Sequence, residues 1–354
     1  APPPPRPYEY PRDWGSRALP VLWLAYGPDL GLTLGGGVTR RTYGFRKIPF
    51  ASQVHFRSGF AFEAARPRAE LDVTWGHESS RRRTTLFARA SGIEVVRFHG
   101  LGNETALTEP DAFYRVRQEQ FQLAPGLRFP LGARADLWIG AVGERIRTRA
   151  DPGRIIAATA PAGSGVHTQA GLRAGIGLDT RDLGANPTRG FTLGLEGRLY
   201  PAVGDVDSLY GAVEAVATTY WTAALPLRPT LALRAGGKRV WGPYPFFEAA
   251  FIGDARTARL GHQNRFGGDA ALYGNAEIRL HLTRFFVILP GELGVFGLAD
   301  AGRVFLEGES SDTWHSALGG GLWISVLGPG NVVSAAIARS DERAALYLGL
   351  GTSF

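Results

Sequence analysis

QAGLRAGIGLD, residues 169–179, sets an apolar side chain at every second position: Ala170, Leu172, Ala174, Ile176 and Leu178. Gln169, Arg173 and Asp179 fall on the other side of the same segment. Successive side chains of a β-strand point to opposite faces, so this spacing describes a strand with one oily and one polar face. FTLGLEGRLY, residues 191–200, repeats it: Phe191, Leu193, Leu195 and Leu199 oppose Thr192, Glu196, Arg198 and Tyr200. NAEIRLHL, residues 275–282, does so again, with Ala276, Ile278, Leu280 and Leu282 opposed to Asn275, Glu277, Arg279 and His281. A soluble sandwich also alternates, but its polar face looks out to bulk water. Large charges on strand after strand suit a hydrated lumen enclosed by a lipid-facing wall.

Carried outward, the same period gives sixteen strands, near 18–26, 29–40, 52–63, 68–77, 84–98, 113–129, 134–148, 167–180, 190–201, 207–222, 230–242, 271–284, 291–306, 314–326, 331–340 and 344–354. Bacterial single-chain barrels prefer an even number. The expected fold is therefore all-β: a transmembrane antiparallel β-barrel over 18–354, after a proline-rich periplasmic linker over 1–17. Connections after even strands are mostly compact, as at 129–132, 225–229 and 327–331, whereas 99–112, 149–166 and 243–270 are long and polar. Short periplasmic turns and longer extracellular loops are the usual asymmetry. It places the chain in a bacterial outer membrane with both termini periplasmic.

Composition agrees. Glycine supplies 48 of 354 residues, a share that disfavours helix interiors and suits curved sheet. Apolar runs such as 285–290 fall far short of the ~20 residues of a membrane helix. With no cysteine there is no disulfide, thiol nucleophile or cysteine-based zinc site. With no methionine the chain reads as a processed or excised piece, opening on an extended polyproline spacer, APPPPRP.

Catalytic signals are missing. The seven histidines are scattered without H-x-x-x-H spacing, and no G-x-S-x-G elbow occurs. Ser164 sits in a flexible Gly-Ser-Gly, and LGGGVT at 34–39 lacks the Lys-Ser/Thr of a phosphate loop. No catalytic residue, metal or cofactor is expected, and the chain is read as not an enzyme. Arg81, Arg82 and Arg83 fall in a turn, either solvated or facing anionic lipid headgroups. Nothing resembles the basic, aromatic-lined face of a nucleic-acid binder.

Leu346, Leu348 and Leu350 lie on a period-two grid that runs through Thr352 to Phe354. A terminal aromatic belongs in the girdle at a barrel's membrane boundary. The pattern resembles the C-terminal signal by which bacterial barrels are recognised for insertion, although Thr352 stands where that signal often has another aromatic.

Three further segments narrow the reading. Asp179, Arg181 and Asp182 lead through Asn186, Pro187, Arg189 and Gly190 into a strand, with the side chains that make turns. RLGHQNRFGGD at 259–269 contains Arg265, Phe266, Gly268 and Asp269, and LYGNAEIRLHL follows from 272. VFGLADAGRV occupies 295–304. Together these resemble the barrel of the BamA/TamA bacterial surface antigen family, the superfamily that includes FhaC-type secretion transporters. The stretches at 26–50, 98–105 and 114–120 resemble barrels of this family fused to patatin-like or phosphoesterase passengers. The resemblance implies sixteen strands and a sixth extracellular loop folded into the lumen. The family's Arg-Gly-aromatic loop tip is altered to Arg259-Leu260-Gly261. By resemblance Arg259 pairs with an acid on the inner wall, for which Asp300 is the candidate; the alternative is a solvated loop charge. Asp300 lies on a strand whose alternation does not fix its direction.

The resemblance implies protein insertion, translocation or surface display through a weakly paired seam between first and last strands. A membrane anchor or structural subunit of a surface complex is the alternative, and a passive porin-like channel the third. Implied partners are outer-membrane lipid and lipopolysaccharide, a polypeptide cargo or passenger domain, and periplasmic or surface complex subunits.

Overall fold

The computed structural model describes residues 12–286, 288–328, 330–352 and 354. The strands in chain order are β1 (Ser16–Gly27), β2 (Gly31–Thr42), β3 (Ser52–Ala61), β4 (Arg66–Gly76), β5 (Arg83–Ser91), β6 (Arg117–Leu131), β7 (Ala135–Arg149), β8 (Gly165–Asp179) and β9 (Gly190–Tyr200). They continue with β10 (Tyr210–Thr222), β11 (Thr230–Trp241), β12 (Ala250–Ile252), β13 (Phe266–Gly268), β14 (Ala270–Phe286), β15 (Pro290–Phe305), β16 (His315–Val326), β17 (Val332–Ser340) and β18 (Ala344–Leu350). Sixteen of them close into one antiparallel barrel, each beside its sequence neighbour; β11 pairs with β14 across a long excursion in which β12 and β13 pair with each other.

Register carries the alternation around the wall. Ile176 lies opposite Leu195, and Leu231 opposite Ile278, so apolar side chains share the outward face. Leu172, Leu318, Trp221 and Ile337 on that face are each more than half exposed. Left in water, a surface of this kind would forfeit roughly 25 cal/mol per Å²; a bilayer is its natural solvent. Inside, Arg173 and Arg198 approach Glu196 at 3.5 Å and 2.9 Å.

Every expected strand is present, and the differences at their ends have local causes. The strand expected over 84–98 stops at Ser91 and the one expected over 113–129 starts at Arg117. The intervening residues leave the wall because Val95, Phe98, Tyr114 and Val116 are buried instead in a cap. Ile155 and Ile156, on the short helix α1 (Ile155–Thr159), and Phe246 complete that cluster, with Phe98 and Phe246 rings 4.9 Å apart. The lead expected over 1–17 lies outside the described residues as far as residue 11, and Ser16 already belongs to β1.

The last strand ends early. Gly351 takes φ +88°, the left-handed region glycine enters without steric cost, and turns the chain off the wall after Leu350. Leu346 and Leu350 stay on the outward face, whereas Phe354 lies under two inward-facing guanidiniums, Arg234 at 4.9 Å and Arg279 at 5.5 Å. Phe354 is therefore not placed at the outer girdle position that the unbroken period-two grid implied: one glycine redirects it. Cation–π attraction accounts for where it goes.

β1 pairs with β2 along its whole length but meets β18 at one bridged pair, Tyr26 and Leu348. The barrel is closed, and this junction is its thinnest.

Candidate functional site: a loop held inside the barrel

The excursion between β11 and β14, residues 242–269, turns back into the lumen. Its apolar side chains Ile252, Leu260 and Phe266 pack on the inward residues Phe296, Leu298 and Val304 of β15. That explains why β15 alternates weakly in sequence: its inner face is a core, not a wetted lumen, so both faces are apolar.

Arg259 is 2% exposed and stands at the centre of this packing. Its Nε and Nη2 donate to the two oxygens of Asp300, each at 2.7 Å, and its backbone N–H donates to Asp300 Oδ2 at 2.9 Å. Nη1 donates to Glu277 Oε1 at 2.8 Å. The other oxygen of Glu277 accepts from Arg279 Nε at 3.0 Å. A two-pronged arginine–carboxylate contact of this length is among the stronger polar contacts a protein makes. The neighbouring backbone is also held: Arg234 Nη2 and Asn275 Nδ2 donate to Thr257 O, both at 2.8 Å. Leu260, where the family's tip has glycine, is buried in the core, and Gly261 follows with φ +106°. A Cβ at Gly261 would lie 2.5 Å from Arg343 Cγ. Gly261→Ala is expected to cost about 1–3 kcal/mol at the loop tip; faster nicking of 255–265 by protease would show it, and an unchanged digest would refute it.

The incoming limb carries the opposite charge. Glu248, buried beside the cap, approaches Lys238 Nζ at 3.6 Å and Arg198 Nη1 at 3.8 Å, and accepts from Gln169 Nε2 at 3.4 Å. The loop thus presents an acid to a basic stretch of wall and a base to an acidic one.

Past the tip, the loop bridges the two sides of the thin junction. Asp29, in the turn after β1, accepts from Gln263 N at 2.5 Å and contacts His262 Nδ1 at 3.1 Å. From the β17–β18 side, Ser340 Oγ donates to Leu260 O at 2.9 Å, and Gly261 N donates to Tyr347 OH at 3.1 Å. Arg97, from the cap, pairs with Asp29 at 2.5 Å and Asp111 at 2.6 Å. Burial alone would raise the Asp29 carboxyl, but the His262 hydrogen bond and the Arg97 charge hold it below the ordinary carboxylate range.

The RFGGD stretch closes the loop. Arg265 donates from Nε to Glu342 at 2.7 Å and from Nη2 to Thr105 O at 2.6 Å. Phe266 stacks on His315 at 3.6 Å. Gly268 runs where a Cβ would stand 2.4 Å from Phe305 O, and Asp269 accepts from Tyr244 OH at 2.5 Å and Glu307 N at 2.7 Å. The 179–190 turn sits apart, at the end carrying both termini. Asp182 Oδ1 accepts from the backbone of Leu183, Thr188 and Arg189, while Arg181 folds onto Asp179 at 2.8 Å. Asn186 and Pro187 shape this turn, and Gly190 leaves it with φ +109°. Ala185 O then accepts from Thr352 N at 2.9 Å, tying the turn to the tail.

Glu277, Arg279, Glu248 and Asp29 were not singled out from the sequence. Glu277 and Arg279 had a signal, since both lie on the polar side of NAEIRLHL. Asp29 and Glu248 had none: His262 lies 233 residues from Asp29, and Glu248 sits in a loop whose return to the lumen its own sequence does not announce. Among the described residues no group of three His, Cys, Asp or Glu side chains could hold a metal ion.

No protein-family model and no curated protein matches the chain. Solved structures do. BamA from Haemophilus ducreyi lacking POTRA domains 1–3 is similar at TM-score 0.62 and 13% identity, over 94% of this chain and 70% of that one. CdiB from Acinetobacter baumannii is similar at 0.57 and 11%, over 95% of this chain and 59% of that one. CdiB from Escherichia coli is similar at 0.61 and 10%, over 97% of this chain and 63% of that one. The chain thus spans less than two thirds of either CdiB chain. At these identities the likeness is one of fold: this chain is a closed antiparallel barrel of the architecture found in BamA and CdiB.

Proposed function

We propose that the chain is an outer-membrane barrel of the BamA/TamA superfamily that inserts or translocates polypeptide, with its termini periplasmic and its long loops outside. The observation that carries this reading is the single bridged pair between β1 and β18. A seam so thinly paired opens at less cost than any other interstrand junction in the wall, and it opens toward lipid. The loop centred on Arg259 occupies the lumen, which a passive pore would leave free for water. In this reading Arg259, Asp300 and Glu277 form a lock that keeps the barrel sealed while the seam works. No catalytic residue takes part.

The absence of native cysteine makes a clean test available. Tyr26→Cys with Leu348→Cys places two thiols at directly opposed strand positions, a separation of about 4.5–5.5 Å that a disulfide spans. In planar bilayers the reduced protein is expected to give small, flickering currents that oxidation silences and reduction restores. A large, steady current indifferent to oxidation would identify a passive channel and overturn the proposal.

A further inference from the structure

At the end of the barrel that carries both termini, the turns 43–51, 77–82 and 132–134 lie side by side. They hold five cations, Arg46, Lys47, Arg81, Arg82 and Arg134, and one carboxylate, Glu78. Their excess of four is more than half of the chain's formal +7. Among the described residues no carboxylate oxygen lies within 4.0 Å of any of the five, or of Arg83 at the start of β5. Around Glu196, Glu70 and Glu277 arginine is matched to acid; at these turns it is not.

The turns also enclose space. A cavity of 560 Å³ is lined by Arg46, Arg81, Arg83, Ser79 and Ser80 on one side and by Ile48, Pro49 and Pro130 on another, with Asp136 at its edge. Two non-glycine residues with left-handed backbone, Arg46 at φ +54° and Ser79 at φ +51°, meet at its rim, where Ser79 N donates to Arg46 O at 3.0 Å. The guanidiniums lie over aromatic faces: Arg46 over Phe45 at 5.1 Å, Arg83 over Phe50 at 5.0 Å and Arg82 over Phe129 at 5.9 Å. Phe45, Ile48 and Leu131 are exposed beside them.

From this we infer a binding site for an anionic glycerophospholipid, its phosphate held by Arg46, Arg81 and Arg83 and its acyl chains running along the apolar wall from Leu131. The inference rests on the membrane-spanning reading above. Unpaired arginines backed by aromatics at the edge of an apolar band are what a headgroup layer recruits. Each basic residue at an anionic surface strengthens that attraction. An acidic protein surface would be drawn to the same charge, but it would leave the row of exposed apolar residues without a counterpart.

The test is native mass spectrometry of the folded chain in micelles doped with phosphatidylglycerol, phosphatidylcholine or lipid A. Roughly tenfold greater retention of phosphatidylglycerol than phosphatidylcholine is expected. Arg46→Gln/Arg81→Gln/Arg83→Gln should bring the two near parity, while Arg46→Lys/Arg81→Lys/Arg83→Lys keeps most of the preference and so separates charge from folding. Parity in the wild type, an unchanged preference in the glutamine variant, or retention of lipid A in place of phosphatidylglycerol would overturn the site. None of these results touches the seam, whose conductance test stands separately. A chain that fails to insert into any bilayer would sink both.

Discussion

Arg259→Ala is expected to lower stability by about 3–5 kcal/mol, the usual result of removing one partner from a buried ion pair. Asp300 and Glu277 are both almost fully buried, and without the guanidinium two carboxylates remain facing each other in a site built for neutrality. Arg279 touches Glu277 alone of the two, so it neutralises at most half of what Arg259 does. The loop should leave the wall, exposing its Ile252, Leu260 and Phe266 face. Heating the folded chain in detergent and reading its gel mobility gives the midpoint, and bilayer conductance should rise as the lumen empties. Arg259→Lys should fall between, because an ammonium cannot serve both oxygens of Asp300 and Glu277 with the fixed fork of a guanidinium. A wild-type midpoint and current in the alanine variant would sink the lock.

Acid is expected to loosen the cap in two steps. His99 is buried against Tyr114, His262, Arg265 and Arg97, with Nδ1 on Asn264 O at 3.1 Å and Nε2 without a hydrogen-bond partner. Burial pushes its imidazole down to about 3. The unfolded chain protonates this side chain near about pH 6.5, so its contribution is complete above that value and is lost as pH falls toward the folded value. Asp29 also has a lowered folded value, but its unfolded reference is a carboxylate near about 3.9. What Asp29 contributes is complete above that pH and disappears only as pH falls through its lower folded pKa. Hydrogen-exchange protection over 92–116, corrected for the pH dependence of intrinsic amide exchange, should therefore fall from about pH 6 downward, by a few kcal/mol in all, with a second fall below about pH 4. His99→Phe should abolish the first step and leave the second. Corrected protection that is unchanged between pH 7 and 4 in the wild type would refute this account.

The fold was legible because a barrel writes its period into every strand. QAGLRAGIGLD and FTLGLEGRLY announce both faces, and turns such as 179–190 declare themselves through Asp, Pro and Gly. Legibility failed where a segment's neighbours are distant in sequence. The cap residues Val95 and Phe98 read as strand because apolar residues that leave a wall for a core look the same as those that stay. β15 lost its alternation for a related reason, since the loop packed on it turns its inner face apolar. The loop's anchoring residues divide the same way. Arg259 and Asp300 were reached through motif resemblance, whereas Asp29, Glu248 and Glu342 needed the folded chain to bring their partners near. Phe354 misled for one residue's sake: the grid runs straight through Gly351, and the backbone does not.

The inward turn at Gly351 has one more consequence. Arg234 lies over the Phe354 ring and also donates to the loop carbonyls of Ala255 and Thr257. Arg279 donates to Phe354 O at 3.1 Å and also holds the Glu277 carboxylate that Arg259 uses. Tail and loop are therefore held by the same two cations at once. Whatever draws the tail out of the barrel removes a partner from both arginines, and so does whatever withdraws the loop. By linkage any change one makes to the other's hold is equal in free energy in both directions, so Phe354 and the loop are coupled through Arg234 and Arg279.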